Sequence, residues 1–239
     1  MMTLAKRLAV SLAPISFLFL TACDMDMSPA GPEKTEMRSI DLDTSELARV
    51  QFKMGAGELS VRGGSPKLMD GEFTYARPML RPEIRYDPSG FRGNLVIAEP
   101  SGIHHANNGK YLWDVKLNDE KPLDLEVDFG AGEGRLDLGS LNLRSVQIQM
   151  GVGSLRLDLR GHPHTDYSVH VHGGIGEATV YLPDGVGVIA DAQGGIGGIN
   201  ARGLTKRDGR YTNQAYGHSK TTIRLDIRGG IGAINLVGS

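Results

Sequence analysis

The sequence predicts an all-β domain, a β-solenoid (parallel β-helix-like) whose rungs are roughly 21–23 residues long with Gly-x-Gly corners. Three observations predict it. Short runs of Val, Ile and Leu alternate with polar residues at a period of two, and no stretch carries the helical period. Glycine is abundant, 33 residues, while aromatics make up only 6%. Finally, one phrase of strand, Gly-x-Gly break and strand recurs around Gly55-Ala-Gly57, Gly130-Ala-Gly132, Gly151-Val-Gly153, Gly174-Ile-Gly176, Gly195-Ile-Gly197 and Gly230-Ile-Gly232. From Gly130 onward the first glycines stand 21, 23, 21 and 35 residues apart.

Composition narrows the classes. With 40% hydrophobic and 23% charged residues the chain is ordinary globular material, not a disordered tract. Its formal net charge is −2, or −4 without Lys6 and Arg7. That balance gives no basic footprint, so no nucleic-acid partner is expected. The single cysteine, Cys23, excludes an internal disulfide framework.

Residues 1–22 read as an export leader. Lys6-Arg7 precede an apolar run from Leu8 to Leu20 that is too short to span a bilayer comfortably. The run ends in Leu20-Thr21-Ala22-Cys23, which resembles the bacterial lipobox. The resemblance implies diacylation of the Cys23 thiol and an extracytoplasmic, membrane-anchored lipoprotein. Each buried CH₂ of the acyl chains would contribute about 0.8 kcal/mol, and two or more chains give stable anchoring. Residues 23–38 are polar, proline-containing and aperiodic, as expected of a flexible tether. Met25 and Met27 lie in that arm and are not expected to form a metal site.

Residues 39–239 form the repeat β domain. In the first copy Val50, Phe52 and Met54 share one side, and Leu59 and Val61 continue past the break. Asp43 to Leu47 is expected to be a loop. Residues 63–119 depart from the repeat and carry Phe73, Tyr75, Tyr86 and Trp113; they read as an inserted sheet or a cap on one end of the stack. Residues 122–239 hold the regular repeats, and the long last interval contains a loop or hairpin over 204–217.

Val146 to Leu159 shows the register most clearly. Val146, Ile148, Met150, Leu155, Leu157 and Leu159 should face the core, with Arg156, Asp158 and Arg160 outward. Glycine suits the break because a corner needs positive φ or a close backbone approach. The apolar middle residues Ile175, Ile196 and Ile231 are expected to point inward. An antiparallel β-sandwich, with each break a hairpin turn, remains the alternative, although hairpins favour Asn-Gly or Gly-Gly.

The stretch Pro122-Leu-Asp-Leu-Glu-Val-Asp-Phe-Gly-Ala-Gly-Glu-Gly-Arg-Leu-Asp-Leu138 resembles the bacterial toast-rack envelope proteins, related to the C-terminal domain of LiaF-like proteins. Leu141 to Gly153 and Trp113 to Asn118 fit the same pattern, and the resemblance covers roughly 49–239. It implies an extracytoplasmic β-solenoid without an established catalytic site. LiaF-like members are membrane proteins that restrain an envelope-stress kinase; this chain differs in its lipobox and lack of membrane helices.

Candidate chemistry is sparse. His162-Pro-His164 and His170-Val-His172 could pair as metal ligands, with Asp166 nearby, but no third ligand is set by spacing. His104-His105 lie in a loop. Outward-facing Asp128, Asp137, Asp158 and Asp226 suggest glycan cleavage only if they cluster; Arg135, Arg156 and Arg224 beside them point instead to surface ion pairs. No phosphate loop, nucleophile elbow or His-Glu-x-x-His pair is present. The expectation is a non-enzymatic, adhesin-like binding or scaffold module at the cell envelope, without cofactor, taking a protein partner and possessing Cys23 as its lipidation site. A glycan-binding or glycan-cleaving β-helix protein is the alternative.

Overall fold

A computed structural model describes residues 32–102 and 109–238. The leader, Cys23 and His104-His105 lie outside the described residues. Strands run β1 (Lys34–Ile40), β2 (Leu47–Arg62), β3 (Met69–Tyr75), β4 (Glu83–Asp87), β5 (Arg92–Ala98), β6 (Tyr111–Leu117), β7 (Leu123–Asp137), β8 (Leu143–Asp158), β9 (Tyr167–Leu182), β10 (Gly187–Ile196), β11 (Ile199–Arg202), β12 (Thr205–Arg207), β13 (Arg210–Thr212), β14 (Thr222–Ile231) and β15 (Ile234–Gly238). The expected tether therefore ends before Lys34, since β1 takes up its last residues.

The stack is parallel. β2, β7, β8, β9, β14 and β10 lie side by side in register, with the six Gly-x-Gly breaks in line. This excludes the antiparallel sandwich, because no break reverses the chain into its neighbour. In β2, β7, β8 and β9 the strand runs unbroken through the corner, giving one long bent strand per rung with two arms.

The bend has a signature in parity. Val146, Ile148 and Met150 are buried before the corner, and Leu155, Leu157 and Leu159 after it. A straight strand would send odd and even positions to opposite faces. Gly151-Val-Gly153 shifts that phase, so both arms turn their aliphatic residues into one core. Each buried Val, Leu or Ile contributes about 1.5–3 kcal/mol.

The breaks tolerate nothing larger than glycine. Their second glycines, Gly57 to Gly232, have φ between 127° and 148°. A Cβ on Gly176 would overlap the carbonyl of Gly153, and one on Gly57 would lie 2.6 Å from the Tyr111 oxygen. The first glycines stack the same way, Gly151 over Gly130 and Gly174 over Gly151.

One expectation fails here. The middle residues do not enter the core: Val152 and Ile175 are 50% exposed, Ile231 49% and Ile196 73%. Because both flanking glycines turn their backbones toward the neighbouring rung, the residue between them sits on the outside of the bend.

Sequence order is also broken once. The last rung, β14 with β15, inserts beside β9, and the rung of β10 and β11 lies beyond it. The long insertion forms the hairpin β12–β13, whose second strand covers the free edge of β10. Tyr211, carried by β13 opposite Ala190, is buried.

At the other end the described residues of 63–119 lie against β2, and their pairing is only partly antiparallel. β5 and β6 pair parallel to the two arms of β2, as a split rung would. β4 then adds antiparallel to β5, β3 to β6, and β1 to β3. The aromatics concentrate here, with Trp113 edge-on to Phe73 at 5.9 Å and to Tyr111 at 5.7 Å. Asp43 to Glu46 is the expected loop. Lys121, one-tenth exposed at its side chain, bonds the carbonyls of Asp43 and Ser45 from below.

Glu36 ties β1 to the cap. It accepts hydrogen bonds from Arg81 Nε at 2.8 Å and Tyr75 Oη at 3.0 Å. The Arg81 hydrogen bonds, partly offset by desolvation, hold its carboxyl down at about 2.

Two predictions follow from this packing. Gly176→Ala should cost about 3 kcal/mol or more in urea unfolding, since it combines left-handed strain with a backbone overlap. Gly185→Ala, with nothing within 4 Å of its Cβ, should stay within about 0.5 kcal/mol of the parent. For Glu36, a lowered folded-state value means stabilisation present above the usual carboxylate range, about 4.3, and lost as pH falls toward about 2. The protection of β1 amides, measured against the intrinsic exchange rate at each pH, should fall on acidification through that window in the parent, and Glu36→Gln should show the reduced protection already at neutral pH.

Candidate functional site

The rungs expose two flat outer faces and the corner edge between them. On the first-arm face, side chains line up across strands: Lys53, Asp128, Gln149, His172 and Arg228 form one column, and Gln51, Glu126, Gln147, His170 and Asp226 the next. These columns are consequences of parallel, in-register pairing, which places equivalent positions of successive rungs about 4.8 Å apart.

The carboxylates on these faces are dispersed, and several of them are paired with basic side chains. Arg49 Nε donates to Glu126 at 2.8 Å, and Gln51 to the same carboxylate at 2.6 Å. Arg228 bridges Asp226 at 2.7 Å and Asp191 at 3.6 Å. On the second-arm face Arg135 meets Glu133 at 2.8 Å. Asp158 accepts from Arg160; partial burial pushes its carboxyl up, yet the Arg160 bonds outweigh this and hold it below the usual range. Arg156 lies over the Tyr181 ring, 4.3 Å from its centre, with Arg160 at 5.0 Å. The alternation expected of Asp and Arg is present, although partners differ: Asp158 takes Arg160, and Arg156 takes Tyr181.

The histidines are not assembled into a metal centre. His170 and His172 do share the outer face. Asp166, however, is turned away from them: it accepts from the Thr222 backbone N–H at 2.8 Å and from Arg224 at 2.9 Å. These two bonds keep its carboxyl below the ordinary range. His172 sits in register between Gln149 and Arg228, and His170 between Gln147 and Asp226. His162 and His164 line a separate hollow with Asp119, Ser140 and Asn142. Among the described residues, no group of three potential ligands converges on a metal position.

One shallow shelf interrupts the first-arm face. Glu99 and Pro100, following β5, line it together with Lys53, Asp128, Gln149 and His172. Glu99 accepts the Gly55 N–H at 2.7 Å, so this margin of the shelf is fastened to the first corner. The shelf offers both charges and an amide over a flat floor, which suits a polar macromolecular surface better than an enclosed small ligand.

Sequence reasoning missed two surface features. The Tyr181–Arg156–Arg160 stack joins residues on adjacent rungs, so no local spacing betrays it. The exposed corner side chains did have a signal, the recurrent apolar residue within Gly-x-Gly. Among the described residues, no helix is long and apolar enough to cross a membrane.

Comparison with known proteins agrees with this architecture. A family model for the N-terminal domain of toast-rack proteins (DUF2154) matches residues 29–181. A solved structure from Clostridium sporogenes, described as a candidate cell adhesion protein, is 35% identical with a TM-score of 0.84, over 87% of this chain and 100% of that one. A candidate adhesin from Bacteroides fragilis covers 87% of this chain and 99% of its own at 11% identity, with a TM-score of 0.37. No curated protein sequence matches. With the family model spanning more than half of the residues, and with this stack of in-register Gly-x-Gly rungs, the chain belongs to the toast-rack family.

Proposed function

We propose that this protein is a lipid-anchored, extracytoplasmic toast-rack module that binds or scaffolds another protein at the bacterial cell envelope without catalysing a reaction. The carrying observation is the outer surface itself. It is a pair of broad faces on which acids are spread along columns and several of them, Glu126, Glu133, Asp158 and Asp226, are paired with arginines, an arrangement unlike the facing pair of carboxyl groups that glycoside cleavage uses. The 35% identical relative described as a candidate cell adhesion protein supports binding as the task. The resemblance to LiaF-like proteins makes envelope-stress sensing a role for the bound partner to report.

Cys23, by its place in Leu20-Thr21-Ala22-Cys23, is the residue proposed to carry the acyl chains. The tether from Cys23 to Lys34 then sets the distance of the stack from the bilayer. Partner contact is assigned to the first-arm face around the shelf, where Lys53, Asp128, Gln149 and His172 lie together.

Cell fractionation with Cys23→Ser tests the anchor: the parent should sediment with membranes and the variant should appear in the soluble extracytoplasmic fraction. A variant that still sediments would overturn it. Incubating the purified protein with envelope polysaccharide should release no soluble fragments. Growth of such fragments would replace the binding role with the glycan-cleaving alternative.

A further inference from the structure

The corner edge carries an apolar ladder that neither the core nor the proposed outer-face contact uses. Ala56, Ala131, Val152, Ile175, Ile231 and Ile196 follow one another in register from the capped end to the β10 end. The four larger ones are about half or more exposed. Holding isoleucine at a bend whose neighbours are both glycine is costly unless the side chain finds cover, since each leaves apolar area in water.

The ladder is graded, small at one end and large at the other. We propose that it is the contact for a second copy of this chain, packed corner to corner with the ladder reversed about a two-fold axis between the Val152 and Ile175 rungs. Reversal sets Ala56 against Ile196, Ala131 against Ile231, and Val152 against Ile175, so each level of the seam holds one larger and one smaller side chain. Running the ladders in the same direction would stack isoleucine on isoleucine at one end and leave a gap between alanines at the other.

Charge selects the same arrangement. Three positions before each ladder residue stand Lys53, Asp128, Gln149, His172, Arg228 and Gln193. Reversal brings Asp128 opposite Arg228 twice over. On the other flank, Glu58, Glu133 and Glu177 then face Gly198, Ala233 and Ser154, so no acid opposes an acid. The same-direction arrangement sets Asp128 against Glu133. An isologous contact of this kind closes on itself and does not grow into a fibre.

Area sets the strength. Six rungs about 4.8 Å apart give a seam roughly 25 Å long, burying a few hundred Å² per copy, below the roughly 800 Å² of a standard interface. The dimer is therefore weak and reversible in solution, and confinement of two anchored copies to one membrane raises their effective concentration. It stands independently of the partner assigned to the outer face.

The test uses the full chain in membranes, co-produced as two tagged copies, one Ala131→Cys and the other Ile231→Cys, followed by mild oxidation. A disulfide-linked pair joining the two tags is expected, above the background given by copies carrying Cys23 alone. Two Ala131→Cys copies, three rungs apart across the reversed seam, should not link. Adding Ile175→Glu to both copies should reduce linkage at least tenfold while leaving the unfolding midpoint unchanged. Absence of the Ala131–Ile231 link, equal linkage between Ala131→Cys copies, or linkage that survives Ile175→Glu would each overturn the proposal. So would a finding that Ile175→Glu abolishes flotation with lipid vesicles while the pair never links, which would assign the ladder to the bilayer. None of these outcomes bears on polysaccharide release, and the linkage outcomes leave Cys23 anchoring untouched, so the two readings fail separately.

Discussion

Everything in this molecule depends on how closely two backbones approach at the corners. Each second glycine adopts a φ that side chains rarely allow, and from Gly132 onward each leans over the second glycine of a neighbouring rung, so that a methyl group there would overlap a carbonyl. Because the contact repeats from Gly57 to Gly232, it aligns the rungs in one register. A rung slipped by one residue would place a side chain over a carbonyl and turn its aliphatic face outward. The columns on the outer faces and the continuity of the core inherit their order from this one constraint.

The corner also explains why so few aromatic residues are needed in the repeats. Two arms meeting at a glycine bend leave a narrow wedge, filled by Val, Ile, Leu and Met from both sides. At the cap, where β5 and β6 are joined without a Gly-x-Gly corner, Trp113, Phe73, Tyr75 and Phe52 occupy the wider space. The two ends of the stack are treated differently but to the same effect. A split rung and three further strands cover β2, while a hairpin of two three-residue strands covers β10, and of the strands left with an open edge, β1 and β12 carry Lys34, Arg38, Lys206 and Arg207. The flat outer faces of the toast rack are thus a consequence of stacking.

Much of this was legible in the chain because a repeat writes its structure six times. The alternation in Val146 to Leu159 identifies the core residues of β8 from Val146 onward, and the glycines announce the corner. His170 and His172 are legible as outward-facing from parity alone. What parity could not show was that Asp166 answers to Arg224 and Thr222, two residues distant in sequence by more than fifty positions and adjacent only because β14 lies against β9. The orientation of Ile175 was misjudged for a related reason: the period-two rule counts through a straight strand, and the glycines on either side break the count.

The sequence by itself determined the class of fold, the rung length, the corner positions and the identity of the buried aliphatics, because these follow from local periodicity and from the conformations only glycine adopts. Tertiary structure alone decided the order of the rungs, with β14 between β9 and β10, and the pairing of surface charges such as Arg156 with Tyr181. It also decided that the middle residues of the breaks gather into one exposed apolar edge. Those outcomes depend on which strands become neighbours, and parallel pairing leaves that choice to loop length and packing, with no mark in any single rung.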